Sequence, residues 1–145
     1  MAASRTTRCS CQPSSLDTVS EPIRVVLVED NKVFREALEL LLGLRSDMEV
    51  VASVPDGSDA AEVAARLKPD VVLMDYRLPG LDGVQATRAV KEAFPEAAVV
   101  CLTASANLRE RDALMEAGAV GCLRKDDGLD AIVAAIHDAA RPKAA

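Results

Sequence analysis

Five short, largely apolar runs recur along this chain, at positions 23–28, 49–54, 70–74, 97–102 and 119–123, the first of them rich in β-branched residues. The first, Ile23-Arg24-Val25-Val26-Leu27-Val28, is nearly continuous rather than alternating. A strand reads that way when both of its faces are buried, as in a parallel sheet. The stretches between these runs carry helical spacing instead. Asn31 can cap a helix over 31–45 with Phe34, Ala37, Leu38, Leu41 and Leu42 on one face. An Asp56-Gly57 turn leads to a short helix over 58–67 with a stripe of alanines. Asp82-Gly83 opens a helix that Pro95 stops, and a helix over 107–117 ends at Gly118. The last helix, over 128–140, sets Leu129, Ile132, Val133 and Ile136 at i, i+3, i+4 and i+7. Strands alternating with helices imply a doubly wound α/β domain, a parallel sheet covered on both faces. Right-handed crossovers favour the flavodoxin-like order 2-1-3-4-5, with strands 1 and 3 adjacent at the switch point.

A chain of 145 residues suits one such domain. Residues 1–22 are rich in Ser, Thr, Arg and Ala, lack the apolar core of a signal peptide, and are expected to be a disordered leader. The domain then spans 23–140, and Arg141-Pro142-Lys143 within 141–145 resembles the start of a linker. Several functions are disfavoured at this level. The chain has no Trp, and its only aromatics are Phe34, Phe94 and Tyr76, too few for base stacking. A net charge of −6 without a basic run argues against direct nucleic-acid binding, which needs clustered Lys and Arg. No apolar stretch is long enough to span a bilayer. Cys9, Cys11, Cys101 and Cys122 match no paired zinc spacing and no disulfide scaffold, so a cytoplasmic setting is expected. Cys101 and Cys122, in apolar runs, read as small core residues.

In doubly wound sheets, sites form beyond the carboxyl ends of the strands. Those ends are Glu29-Asp30, Asp75, Thr103-Ala104 and Lys125. Asp75 is expected to stand exposed on a rigid strand end, followed at once by a turn containing Pro79-Gly80. Gathered carboxylates repel one another unless their pKa values rise or a cation binds. Oxygen ligands without His or Cys select Mg²⁺ or Mn²⁺ over zinc. A backbone carbonyl after Asp75 and a phosphoryl oxygen would complete such a shell. A carboxylate beside that cation suits phosphoryl transfer, with Asp75 as nucleophile and Lys125 neutralising charge. The Thr103 hydroxyl and the Ala104 backbone N–H would hydrogen-bond the product. Each of these residues alone has an ordinary reading as a cap, a turn or a solvated charge. Their conjunction at four strand ends carries the argument.

Four segments carry a family resemblance: Val28-Glu29-Asp30-Asn31, Met74-Asp75-Tyr76-Arg77-Leu78-Pro79-Gly80-Leu81-Asp82-Gly83, Leu102-Thr103-Ala104, and Gly118-Ala119-Val120-Gly121-Cys122-Leu123-Arg124-Lys125-Asp126. Over 23–140 the chain resembles a response-regulator receiver domain of two-component signalling, in its NarL/FixJ-like subset. The resemblance implies that Asp75 accepts a phosphoryl group from a sensor histidine kinase. It implies that Glu29, Asp30, Asp75 and the Arg77 carbonyl hold Mg²⁺, and that Thr103 and Lys125 bind the phosphoryl group. It implies a signalling switch rather than an enzyme, whose helix 4–strand 5–helix 5 face changes to control a DNA-binding output domain outside this chain. A homodimer through that face or through helices 1 and 5 is a further expectation. A stand-alone receiver or phosphorelay intermediate is the alternative, and an aspartate-nucleophile phosphatase is an alternative of another class. Such phosphatases carry a second aspartate two residues after the nucleophile, where this chain has Arg77.

Two departures stand out. Glu29 replaces one of the usual paired aspartates, which the family tolerates. Cys122 stands where the family commonly has Tyr, Phe or His, so either the Thr103 movement proceeds without a large ring or the switch is weakened.

Overall fold

A computed structural model of the chain describes residues 21–78, 81–104 and 107–140. The strands are β1 (Ile23–Val28), β2 (Met48–Val54), β3 (Val71–Asp75), β4 (Ala98–Thr103) and β5 (Gly121–Arg124). They are parallel and ordered β2-β1-β3-β4-β5, the doubly wound order expected of the chain. The helices are α1 (Lys32–Gly43), α2 (Ala60–Leu67), α3 (Gly83–Ala93), α4 (Leu108–Ala117) and α5 (Leu129–Ala140).

Residue parity assigns each strand side chain to a face, because successive Cβ atoms point to opposite sides of a sheet. Val26, Val28, Val72, Met74, Val99 and Cys101 meet Ala60, Val63 and Ala64 of α2, Ala86 and Val90 of α3, and Leu114 of α4. Val25, Leu27, Val71, Leu73, Val100 and Leu102 meet Leu38 and Leu42 of α1 and Ile132 and Ile136 of α5. Both faces are therefore dry, which is why these runs are continuously apolar. The alanine stripe of α2 lets that helix lie close to α3 and to the sheet.

Three local expectations are corrected. The core face of α1 is narrower than its spacing implies: Ala37 is exposed and Leu41 is 40% exposed, while Leu38 and Leu42 are buried. Gly57–Asp59 form a 3₁₀ turn, capped by the Asp56 carboxylate on the Ser58 N–H at 2.8 Å, so α2 starts later than expected. The strand expected to stop at Met74 runs through Asp75.

Cys101 is fully buried at the α2–α3–α4 face, whereas Cys122 is half-buried. Burial pushes the Cys101 thiol up to about 12 and also raises that of Cys122. Thiolate is the reacting species, so alkylation should modify Cys122 slowly and Cys101 only on unfolding. Mass mapping after iodoacetamide treatment in the presence and absence of urea checks this order. Cys9, Cys11, the leader before residue 21, the tail after 140 and the Pro79-Gly80 turn lie outside the described residues.

Candidate functional site

Register assembles the site. Val28 pairs with Met74, so the next residues, Glu29 and Asp75, emerge side by side from β1 and β3. Asp75 pairs with Leu102, so Thr103 lies one residue beyond it on β4. Thr103 pairs with Arg124, so Lys125 lies one residue beyond that on β5. Backbone bonds extend the ladder past the strands: Glu29 N–H donates to Val54 O at 3.0 Å, and Tyr76 N–H to Leu102 O at 2.9 Å.

Asp75 is not exposed as its position suggested; only 4% of its surface meets solvent. Glu29 and Thr103 are also buried, at 2% and 6% exposure, while Asp30 is open. The cause is that β3 is the central strand of the sheet, so its last residue is flanked by the ends of β1 and β4. Glu29 Oε2 accepts from the Asn31 N–H at 3.0 Å and from Lys125 Nζ at 3.1 Å. Nζ also lies 2.9 Å from Glu29 Oε1 and 3.3 Å from Asp75 Oδ2. The ammonium thus bridges the two carboxylates.

Two buried carboxylates this close compete for one ammonium. Burial, then the Glu29 charge, push the Asp75 carboxyl up to about 7, against the pull of Lys125. Burial works against the Lys125 charge, but its bond to Glu29 and the attraction of Asp75 win, and its pKa rises.

The donor set suits a hard divalent cation. One oxygen from each of Glu29, Asp30 and Asp75 lies within 4.8 Å of the others. Glu29 Oε1 is buried and is met by the Lys125 ammonium at 2.9 Å. Two buried carboxylates share that one ammonium, and a divalent cation beside them would offset the negative charge that Lys125 leaves unbalanced.

Of the other expected site residues, Arg77 is exposed in the bend after β3, and Ala104 is exposed directly after β4. Three contributors escaped the sequence reading. The Asn31 N–H holds Glu29, the Arg35 guanidinium donates to Glu29 O at 2.8 Å, and the Phe34 ring lies 4.9 Å from Lys125 Nζ. Spacing marked Asn31 as a cap and Phe34 as part of a helix face, Arg35 carried no such signal, and nothing in one dimension ties α1 to residue 125.

The strand end itself is braced by α3. Asp82 and Gln85 form a capping box, with Gln85 N–H to Asp82 Oδ1 at 2.9 Å. Gly83 N–H donates to Tyr76 O at 2.7 Å, bringing the helix start against the backbone that carries Asp75. Beside the site, Thr103, Asn107, Leu108, Arg111 and Cys122 line a cavity of about 300 Å³. The small Cys122 side chain leaves that space open.

The model of the response regulator receiver domain family matches residues 25–137. The chain is 37% identical over 114 residues to the transcriptional regulatory protein LnrK of Bacillus subtilis, covering 79% of this chain and 52% of that protein. It is 37% identical over 115 residues to the response regulator GacA of Pseudomonas aeruginosa, covering 79% and 54% respectively. The chain thus spans about half the length of the curated relatives it matches. Among solved structures, the signal receiver domain of the putative response regulator NarL from Mycobacterium tuberculosis superposes with a TM-score of 0.81 at 35% identity, over 86% of this chain and all of that one.

Proposed function

The chain belongs to the response-regulator receiver family, and from that premise we propose that Asp75 is its phosphoacceptor. The observation that carries this is the Lys125 ammonium bridging Glu29 at 2.9 Å and Asp75 at 3.3 Å, at the meeting point of three strand ends. A receiver domain is a signalling switch of two-component systems. Here an Asp75 oxygen would form the new bond to phosphorus as the donor's bond to it breaks. The leaving group, the imidazole of a kinase phosphohistidine or the carboxylate of a small acyl phosphate, departs with the electron pair of the broken bond. Lys125, 3.3 Å from Asp75 Oδ2, would offset the negative charge that gathers on the transferred oxygens. Thr103 and the Ala104 N–H, at the adjacent strand end, would hold the product oxygens. Glu29, Asp30, Asp75 and the Arg77 carbonyl would hold Mg²⁺, which supplies charge neutralisation at the phosphoryl group.

A phosphoryl group adds roughly 1.5 to 2 negative charges and three acceptors, enough to draw Thr103 and Lys125 toward it. That movement would bias α4, β5 and α5 between two arrangements. The names of the relatives support a transcriptional output, and a sensor histidine kinase is the corresponding partner. Self-association through α4–β5–α5 or through α1 and α5 is in keeping with the exposed apolar side chains, which include Leu108 and Met115 on α4 and Val33, Leu40 and Leu44 on or next to α1. A cytoplasmic setting goes with the same reading; no helix among the described residues is long and apolar enough to cross a membrane.

Incubation with acetyl phosphate and Mg²⁺, followed by intact-mass measurement, tests the reading. The wild-type chain should gain one phosphoryl group, and Asp75→Asn or a chelator should abolish the gain. An unmodified wild-type chain under saturating donor overturns it.

A further inference from the structure

Phe34 touches the Lys125 ammonium and has no part in the function above. Lysine is a compact charge on a flexible four-carbon stem, so something must hold it in one direction. In this structure Glu29 and Asp75 do so, at 2.9 and 3.3 Å. Those same carboxylates are the ones a cation and a phosphoryl group would engage. A cation at Glu29 would loosen that grip before a phosphoryl group arrives to hold the ammonium, and the aromatic ring would stay beside it.

The ring is well placed for this task. Nζ lies 4.9 Å from the Phe34 centroid, inside the roughly 6 Å reach of a cation–π contact. The root of the side chain is fixed, because the Phe34 N–H is capped by Asn31 Oδ1 at 3.0 Å. The ring is half-buried and packs against the core between the sheet, α1 and α5, which keeps it from swinging away. The Lys125 side chain is 23% exposed, so the ammonium is partly desolvated, which strengthens its attraction to the ring face.

We propose that Phe34 is a positioning residue for phosphoryl transfer, its ring face holding the Lys125 ammonium beside Asp75 when Glu29 is otherwise engaged. The proposal rests on Asp75 being the phosphoacceptor. It also explains why one residue of α1 faces Lys125, 91 positions away, rather than only the core.

Two measurements test it. Phe34→Leu keeps an apolar side chain of similar bulk but removes the ring face, whereas Phe34→Tyr keeps that face. The initial rate of phosphorylation by acetyl phosphate should fall about three- to tenfold in Phe34→Leu and stay within about twofold of wild type in Phe34→Tyr. In the metal-free protein, a double-mutant cycle of Phe34→Leu with Lys125→Met should show a coupling of roughly threefold or more in the urea unfolding constant. A phosphorylated wild type with Phe34→Leu equally fast overturns the proposal alone, as does Phe34→Tyr falling as far as Phe34→Leu, or an absent coupling. A wild-type chain that gains no phosphoryl group overturns the Asp75 reading and this proposal together.

Discussion

Asp75→Asn should raise the melting temperature of the metal-free protein at pH 8 by about 5–10 °C, while removing its capacity to take a phosphoryl group. The cause is the cost of ionising a buried carboxyl next to Glu29. The Asp75 pKa is pushed from an ordinary 3.8 up to about 7 in the folded chain. A raised folded-state pKa means that this group's stabilising effect is fully present below pH 3.8 and is lost as pH rises through about 7. The full shift corresponds to about 4 kcal/mol at most; we expect about 2 kcal/mol after solvent relaxation around the site. Asparagine cannot ionise, so it escapes the loss. Thermal melts in EDTA at pH 5 and pH 8 decide the matter: the advantage of the variant should be large at pH 8 and shrink at pH 5. An equal difference at both values would show that charge is not the cause. Mg²⁺ should raise the melting temperature of the wild type far more than that of the variant, since it offsets the same repulsion.

The second large effect concerns Gly83. Helix propensity alone favours alanine over glycine by about 1 kcal/mol in a helix interior. At this position the opposite is expected, a loss of roughly 3 kcal/mol. A Cβ there would sit 2.7 Å from Tyr76 Cα and 2.8 Å from Asp75 O, both backbone atoms that no rotamer change can move. Helix α3 must then retreat from the strand end, weakening the 2.7 Å bond from Gly83 N–H to Tyr76 O. Because Asp75 lies on that same backbone, the phosphorylation rate should fall as well. Gly43→Ala is the matched control: a Cβ at Gly43 meets nothing within 4 Å, so the same change at the exposed end of α1 should stabilise slightly. Urea unfolding of the two variants gives opposite signs if close backbone approach, rather than propensity, governs Gly83.

Much of the fold was legible because its signals are local. The runs Val25–Val28 and Val71–Met74 read as strands buried on both faces, and Val25/Val26 or Leu73/Met74 do point to opposite cores. The cap at Asn31 was equally plain: its side chain accepts the Phe34 N–H at 3.0 Å. The width of the α1 core face was not legible. Leu41 has the spacing of a core residue, yet the sheet and α5 cover Leu38 and Leu42 and leave Leu41 40% exposed. Periodicity reports a helix face, not how much of it a neighbour covers.

The site divides in the same way. Strand order and the rule that sites form at carboxyl ends bring Glu29, Asp75, Thr103 and Lys125 together on paper, and each strand pairing then sets the next residue one step further on. The amino-acid sequence by itself thus determined which side chains are available at the strand ends and what kind of chemistry their oxygens and single ammonium suit. Only the tertiary structure decided that Asp75 is buried, that its carboxyl is held near neutrality, and that Phe34 stands against Lys125. Residue type and strand periodicity act through neighbours along the chain. Desolvation and charge coupling act through space, between residues as far apart as Glu29 and Lys125, and exist only once the sheet has closed the distance.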